Sequence, residues 1–145
     1  MHKVNRSALV PYSAEQMFSL VDDIESYPEF LPWCSDARID SRDGEIVVAT
    51  LQLKKGGLRK RFSTQNTRDI PVAIDLKLLS GPFQALSGGW RFKALGEQGS
   101  KVSLELSFEF ESQMLDLLLG SYFEDTCNKL IDAFTQRAAA VYGAS

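Results

Sequence analysis

The chemistry open to this chain is limited first by the side chains it lacks. One residue of 145 is histidine, His2, beside the start of the chain. A lone histidine there excludes a multi-histidine metal site, an HExxH zinc motif and a Ser-His-Asp triad. The two cysteines, Cys34 and Cys127, form neither a CxxC nor a zinc spacing, and a reduced intracellular protein is the simplest reading. Neither has a sequence-local base to lower its pKa, so both read as small packed hydrophobes. The pairs Asp22-Asp23 and Glu124-Asp125 fall on predicted solvent faces, where an acid–base dyad has no cleft to serve. No catalytic residue and no metal ligand is assigned, and no cofactor is required.

Binding chemistry is better represented. Lys54, Lys55, Arg59, Lys60 and Arg61 surround a Gly56-Gly57 pair, a basic hairpin tip able to lie against RNA phosphates. The competing reading is a solvated hairpin whose lysines discourage edge pairing. Phe62, Trp90, Phe92 and Phe108 fall on apolar strand faces, while Phe30, Trp33 and Phe83 sit at element borders where a cavity mouth could form. Leu118 and Tyr122 would roof that cavity from a C-terminal helix. Such a pocket would suit a flat hydrophobic ligand, a quinone for example; a filled core is the alternative. Arg6 shares a strand face with Val4, Ala8 and Val10 and is expected to point inward, where its charge needs a ligand oxygen or a carboxylate. A snorkelling side chain at the sheet rim is the other reading.

These residues need a scaffold, and the periodicity supplies one. Val4, Ala8 and Val10 alternate with polar neighbours in an opening strand that Pro11 closes. Ser13 and Gln16 form a capping box for a helix over about 14–21, and a second short helix spans 25–30. Period-two alternation then recurs through six strands, clearest in Val102, Leu104, Leu106, Phe108 and Phe110. The end reads as one helix from about Ser112 to Tyr142, roughly 46 Å long at 1.5 Å per residue. Its stripe is Leu115, Leu118, Leu119, Tyr122, Phe123, Leu130, Ala133, Phe134 and Val141, and Gly120 is its weak point. The expected fold is α+β: a curved antiparallel sheet of about seven strands wrapped around a long C-terminal helix, with two short helices after the first strand, in a single domain 1–145. A helix cannot fill a concave sheet, so a pocket is expected between them.

With 44% hydrophobic and 24% charged residues the composition is that of a globular protein. Net charge is only −3 but is segregated: 13–36 holds six acids and no base, 46–68 six bases and no acid, 105–132 seven acids and one base. No stretch approaches the ~18 apolar residues of a membrane span, and the first residues lack the apolar run of a signal peptide. A cytoplasmic monomer is expected.

Four motifs carry a family resemblance. Tyr27-Pro28-Glu29-Phe30-Leu31-Pro32-Trp33-Cys34, Gly81-Pro82-Phe83, Gly88-Gly89-Trp90-Arg91-Phe92, and Phe108-Glu109-Phe110 leading to Ala133-Phe134-Thr135-Gln136-Arg137-Ala138 resemble, in order, the START-like helix-grip proteins of the coenzyme Q-binding and RatA group. The resemblance covers nearly the whole chain. It implies one of two activities. Bacterial members are described as ribosome association toxins that bind the large ribosomal subunit and block subunit joining; mitochondrial members are described as lipid-binding proteins that hold ubiquinone and support respiration. The basic hairpin looks more like the bacterial branch, which implies contact with ribosomal RNA and none with DNA. The residues offer no basis for the cyclase activity attached to older labels of the group.

Overall fold

Strands with one apolar and one polar face must pair and then cover the apolar side. The computed structural model, which describes residues 1–143, shows seven: β1 (His2–Val10), β2 (Cys34–Asp43), β3 (Ile46–Lys55), β4 (Leu58–Asp69), β5 (Ala73–Ser80), β6 (Phe83–Leu95) and β7 (Gly99–Phe110). They form one antiparallel sheet in the order β1-β7-β6-β5-β4-β3-β2, a meander from β2 to β7 with β1 returning beside β7. Gly56 turns the β3–β4 hairpin at φ +57°, a conformation most side chains avoid. Gly88 answers a different need. A Cβ there would stand 2.0 Å from the Glu105 carbonyl oxygen, so only glycine lets β6 lie this close to β7.

Between β1 and β2 runs helix α1 (Ala14–Asp22), followed by a 3-10 helix over Ile24–Glu29. The capping box forms as the sequence implies: Gln16 N–H donates to Ser13 Oγ at 3.1 Å, and Ser13 N–H to Gln16 Oε1 at 2.9 Å.

The C-terminal helix departs from the continuous rod. A single turn, α2 (Gln113–Leu115), leads into a π-helical turn over Asp116–Gly120; α3 (Ser121–Asn128) and α4 (Leu130–Tyr142) are separated at Lys129, whose ψ of 0° breaks the hydrogen-bond ladder. A π turn inserts a residue and rotates everything before it about the helix axis. Leu118, expected on the buried stripe, therefore faces out at 45% exposure, and Val141 is exposed as well. The buried face is Leu119, Phe123, Cys127, Leu130, Ile131, Phe134 and Ala138. Around it the core is continuous from α1 through the concave face of the sheet, the helix-grip arrangement.

Candidate functional site

The concave face of β3–β7 and the helices above it form a cavity of about 80 Å³. Trp33, Phe62 and Trp90, all predicted for it, line its walls with Phe123, Leu130 and Phe134. The remaining predicted lining residues do other work. Phe83 stacks on Phe110 at 4.6 Å and meets Phe62 and Phe123 edge-on or tilted; Phe108 packs on Phe123 at 4.9 Å; Phe92 lies parallel to Trp90 and edge-on to Phe18. These aromatics fill the core because T-shaped and offset packing leaves little void between them. Phe30 sits beneath the Arg137 guanidinium, 4.9 Å from its ring centre, outside the cavity. Leu118 and Tyr122 do not roof it: the π turn carries Leu118 to the surface, and the Tyr122 hydroxyl donates to the Lys54 carbonyl at 3.0 Å.

Arg6 is corrected too. It is exposed, with its Nε donating to Asn128 Oδ1 on α3 at 3.0 Å. β1 is an edge strand, so a long side chain on its inward face reaches past the rim to water.

The polar part of the cavity comes instead from β4. Its inward face runs Leu58, Lys60, Phe62, Thr64, Asn66, Arg68 and is polar throughout beyond Phe62. Thr64 and Asn66 are buried and line the cavity, and the Thr64 hydroxyl donates to Asn66 Oδ1 at 2.7 Å. Arg68 donates from Nη1 to Asp22 Oδ2 at 2.8 Å and from Nη2 to the Gly44 carbonyl at 3.0 Å. Asp22 is itself a lining residue. Apolar periodicity does not mark these residues, because it identifies a strand face by its apolar members. The available signal was the opposite: β4 has polar residues on both faces over 63–68 although strands pair on both sides of it.

Both cysteines are thiols at neutral pH. Burial pushes Cys34 up to about 11 and Cys127, in the cavity wall, up to about 12.

The basic hairpin divides between the two sheet faces. Lys54, Arg59 and Arg61 alternate with the buried Leu53 and Phe62 and stand on the convex side, with Lys54 opposite Arg59. Lys55 and Lys60 are on the concave side. Lys55 Nζ donates to the Leu118 carbonyl at 2.8 Å and lies 5.5 Å from the Tyr122 ring centre, tying the hairpin to the helix. Arg61 pairs with Asp36 at 2.9 Å. Lys54, Arg59 and Lys60 make no ion pair among the described residues.

His2, the lone histidine, joins β1 to the segment over 116–124. Its ring stacks on Phe108 at 4.8 Å; Nε2 lies 2.6 Å from Asp116 Oδ1 and Nδ1 2.8 Å from Glu124 Oε1. This contact holds the π turn against β1. Among the described residues no helix is long and apolar enough to cross a membrane.

Comparison with known proteins agrees with this geometry. The family described as polyketide cyclase / dehydrase and lipid transport matches residues 10–135. The ribosome association toxin RatA of Vibrio cholerae is 46% identical over 143 residues, 99% of each chain. The mitochondrial coenzyme Q-binding protein COQ10 homolog B of Xenopus laevis is 28% identical over 96% of this chain and 59% of its own. The solution structure of the 18 kDa protein CC1736 from Caulobacter crescentus is 36% identical, with a TM-score of 0.77, covering 99% of this chain and 100% of that one. The chain belongs to the polyketide cyclase / dehydrase and lipid transport family, and within it to the group of the RatA ribosome association toxins.

Proposed function

We propose that the protein binds the large ribosomal subunit in the bacterial cytoplasm and blocks its joining to the small subunit, without catalysing a reaction. The observation that carries this reading is the 46% identity to a ribosome association toxin across 99% of both chains. The hairpin supplies a contact surface: Lys54 and Arg59 face each other on the convex side, away from the cavity, where ribosomal RNA phosphates can reach them. The raised thiol pKa values support a non-catalytic role, since neither cysteine is available as a thiolate nucleophile.

Sedimentation with isolated large subunits across a salt series tests this. Log affinity is expected to fall linearly with log salt, and Lys54→Glu/Arg59→Glu to reduce the slope by about 1.4–1.8, at ~0.7–0.9 per lost phosphate contact. Lys55 is the wrong residue to reverse, because its contacts to Leu118 and Tyr122 would be lost with it. A slope unchanged in the double variant would remove the hairpin from the interface, and no sedimentation at any salt would overturn the function.

The cavity favours a second reading: carriage of a hydrophobic ligand such as ubiquinone. The coenzyme Q-binding relative and the apolar lining support it. At about 80 Å³ the cavity is below the ~300–1,000 Å³ of most ligand pockets, so a quinone head would enter only as the helices give way. Organic extraction of protein purified from cells, read for quinone absorbance, checks this.

A further inference from the structure

The strands turn back at two ends of the sheet, and the two ends differ in charge. One end gathers the Gly56-Gly57 turn, the turn between β5 and β6, the start of β1 and the segment over 112–120. There the helix carries apolar side chains outward: Met114 is 72% exposed, Leu117 85% and Leu118 45%. Their i, i+3, i+4 spacing makes them neighbours on the helix surface, and the exposed Met1 borders the same groove as Leu117. Aliphatic side chains clustered in water mark a contact surface. The cations of the hairpin stand beside them. Lys55 Nζ gives one of its three donors to the Leu118 carbonyl at 2.8 Å, and Lys54, Arg59 and Lys60 flank the turn without an ion pair among the described residues. The acids of this end are already matched: Asp116 and Glu124 to His2, Glu109 to the Met1 amine at 3.9 Å, Asp36 to Arg61 and Asp125 to Lys129. Glu111 alone among them has no ion pair among the described residues. At the opposite end Ile70 and Val72 are also exposed, but the neighbouring β2–β3 and β4–β5 turns hold Asp43, Glu45 and Asp69 against Arg42.

We infer that the end of the molecule formed by the 112–120 segment and the β3–β4 hairpin docks on an anionic lipid surface. Leu117, Leu118 and Met114 enter the acyl boundary, and Lys55, Arg59 and Lys60 meet the headgroup phosphates. RNA phosphates would match the cations but leave the aliphatic side chains in water. A second copy of this chain would bring a second set of the same cations. A bilayer of acidic phospholipids takes both parts of the patch. Tyr122 lies between them, half-buried, with Lys55 Nζ 5.5 Å from its ring centre and its hydroxyl donating to the Lys54 carbonyl, the amphipathic position a tyrosine takes at a membrane interface. The docking is peripheral and requires neither the ribosomal reading nor a ligand in the cavity.

Sedimentation of the intact protein with vesicles tests this, with phosphatidylcholine alone set against phosphatidylcholine and phosphatidylglycerol in equal parts. Wild type is expected to bind the mixed vesicles and not the neutral ones. Leu117→Ser/Leu118→Ser, at exposed positions where folding does not depend on them, is expected to weaken binding about tenfold or more. Arg59→Gln/Lys60→Gln is expected to weaken it about thirtyfold at low salt. Ile70→Ser/Val72→Ser, at the opposite end, is expected to bind as wild type does. Insertion is read separately. Trp33 and Trp90 are buried, so a blue shift in the emission of Leu117→Trp on adding mixed vesicles reports entry of position 117 into the bilayer. No binding of wild type to either vesicle overturns the inference and leaves the ribosomal reading untouched. If in that case Leu117→Ser/Leu118→Ser weakens sedimentation with large ribosomal subunits, the patch belongs to the ribosomal contact instead. Vesicle binding that survives Leu117→Ser/Leu118→Ser, or emission unmoved in Leu117→Trp, overturns the inference by reducing the contact to charge alone. Equal loss in Ile70→Ser/Val72→Ser overturns the assignment to this end of the molecule.

Discussion

An imidazole with a carboxylate at each nitrogen is held in its doubly protonated form, because a neutral ring has only one N–H to give. His2 is in that position. Burial works against its charge, but the hydrogen bonds to Glu124 and Asp116 and their negative charges outweigh burial, and its pKa is raised above 6.5. With the folded value raised, the stabilisation is fully present below the unfolded pKa of about 6.5 and is lost as pH rises through the folded one. The amides of residues 116–120 are therefore expected to lose hydrogen-exchange protection above the raised pKa, once intrinsic exchange is corrected for. His2→Asn is expected to abolish that pH dependence. Protection indifferent to pH in the wild type would show that the contact does not secure the turn. None of this was legible locally, since the two carboxylates lie 114 and 122 residues along the chain. Thr64 and Asn66, by contrast, were legible in principle: polar residues at inward positions of a central strand are themselves the sign of a polar site.

At the scale of elements, the strands were readable because each repeats every two residues and each side chain's face follows from its parity. Helix α1 was readable because its capping box is a local event. The π turn was not, because it depends on a pairing between the ends of the chain. Gly120 looks like a flaw in a helix, and on propensity alone Gly120→Ala would stabilise by ~1 kcal/mol. The structure argues otherwise. A Cβ on Gly120 would stand 2.7 Å from Asp116 Oδ1 and 2.8 Å from His2 Nε2, so the glycine makes room for the ion pair. The expected outcome of Gly120→Ala is little or no gain in thermal stability, with the His2 pKa falling toward 6.5 in an NMR titration. A gain of the full propensity value with an unmoved His2 pKa would mean that the pair relocates without cost.

Across the whole molecule, the segregated charges of the sequence turn out to face one another. Acids of the 13–36 segment meet bases from later in the chain, in Asp22–Arg68, Asp36–Arg61 and Glu29–Arg137, and the bases of 46–68 outside these pairs, Lys54, Lys55, Arg59 and Lys60, flank the hairpin turn. The cavity and the convex hairpin face lie on opposite sides of the sheet, which a sequence can show only once the register of β3 on β4 is known. That separation has an energetic consequence. Phe134 is 1% exposed, lines the cavity and packs edge-on against Tyr27, Phe30 and Trp90. Phe134→Ala removes these contacts and enlarges the void, at a cost of ~3–5 kcal/mol, a large share of the ~5–15 kcal/mol that holds a typical domain folded. None of the lost contacts reaches Lys54 or Arg59. The folded fraction of the variant, measured by urea denaturation, is therefore expected to sediment with large subunits as wild type does, with the same salt slope. Loss of sedimentation by a variant that remains fully folded would show that the packing under the helices governs the convex face, and that ligand occupancy could regulate ribosome binding.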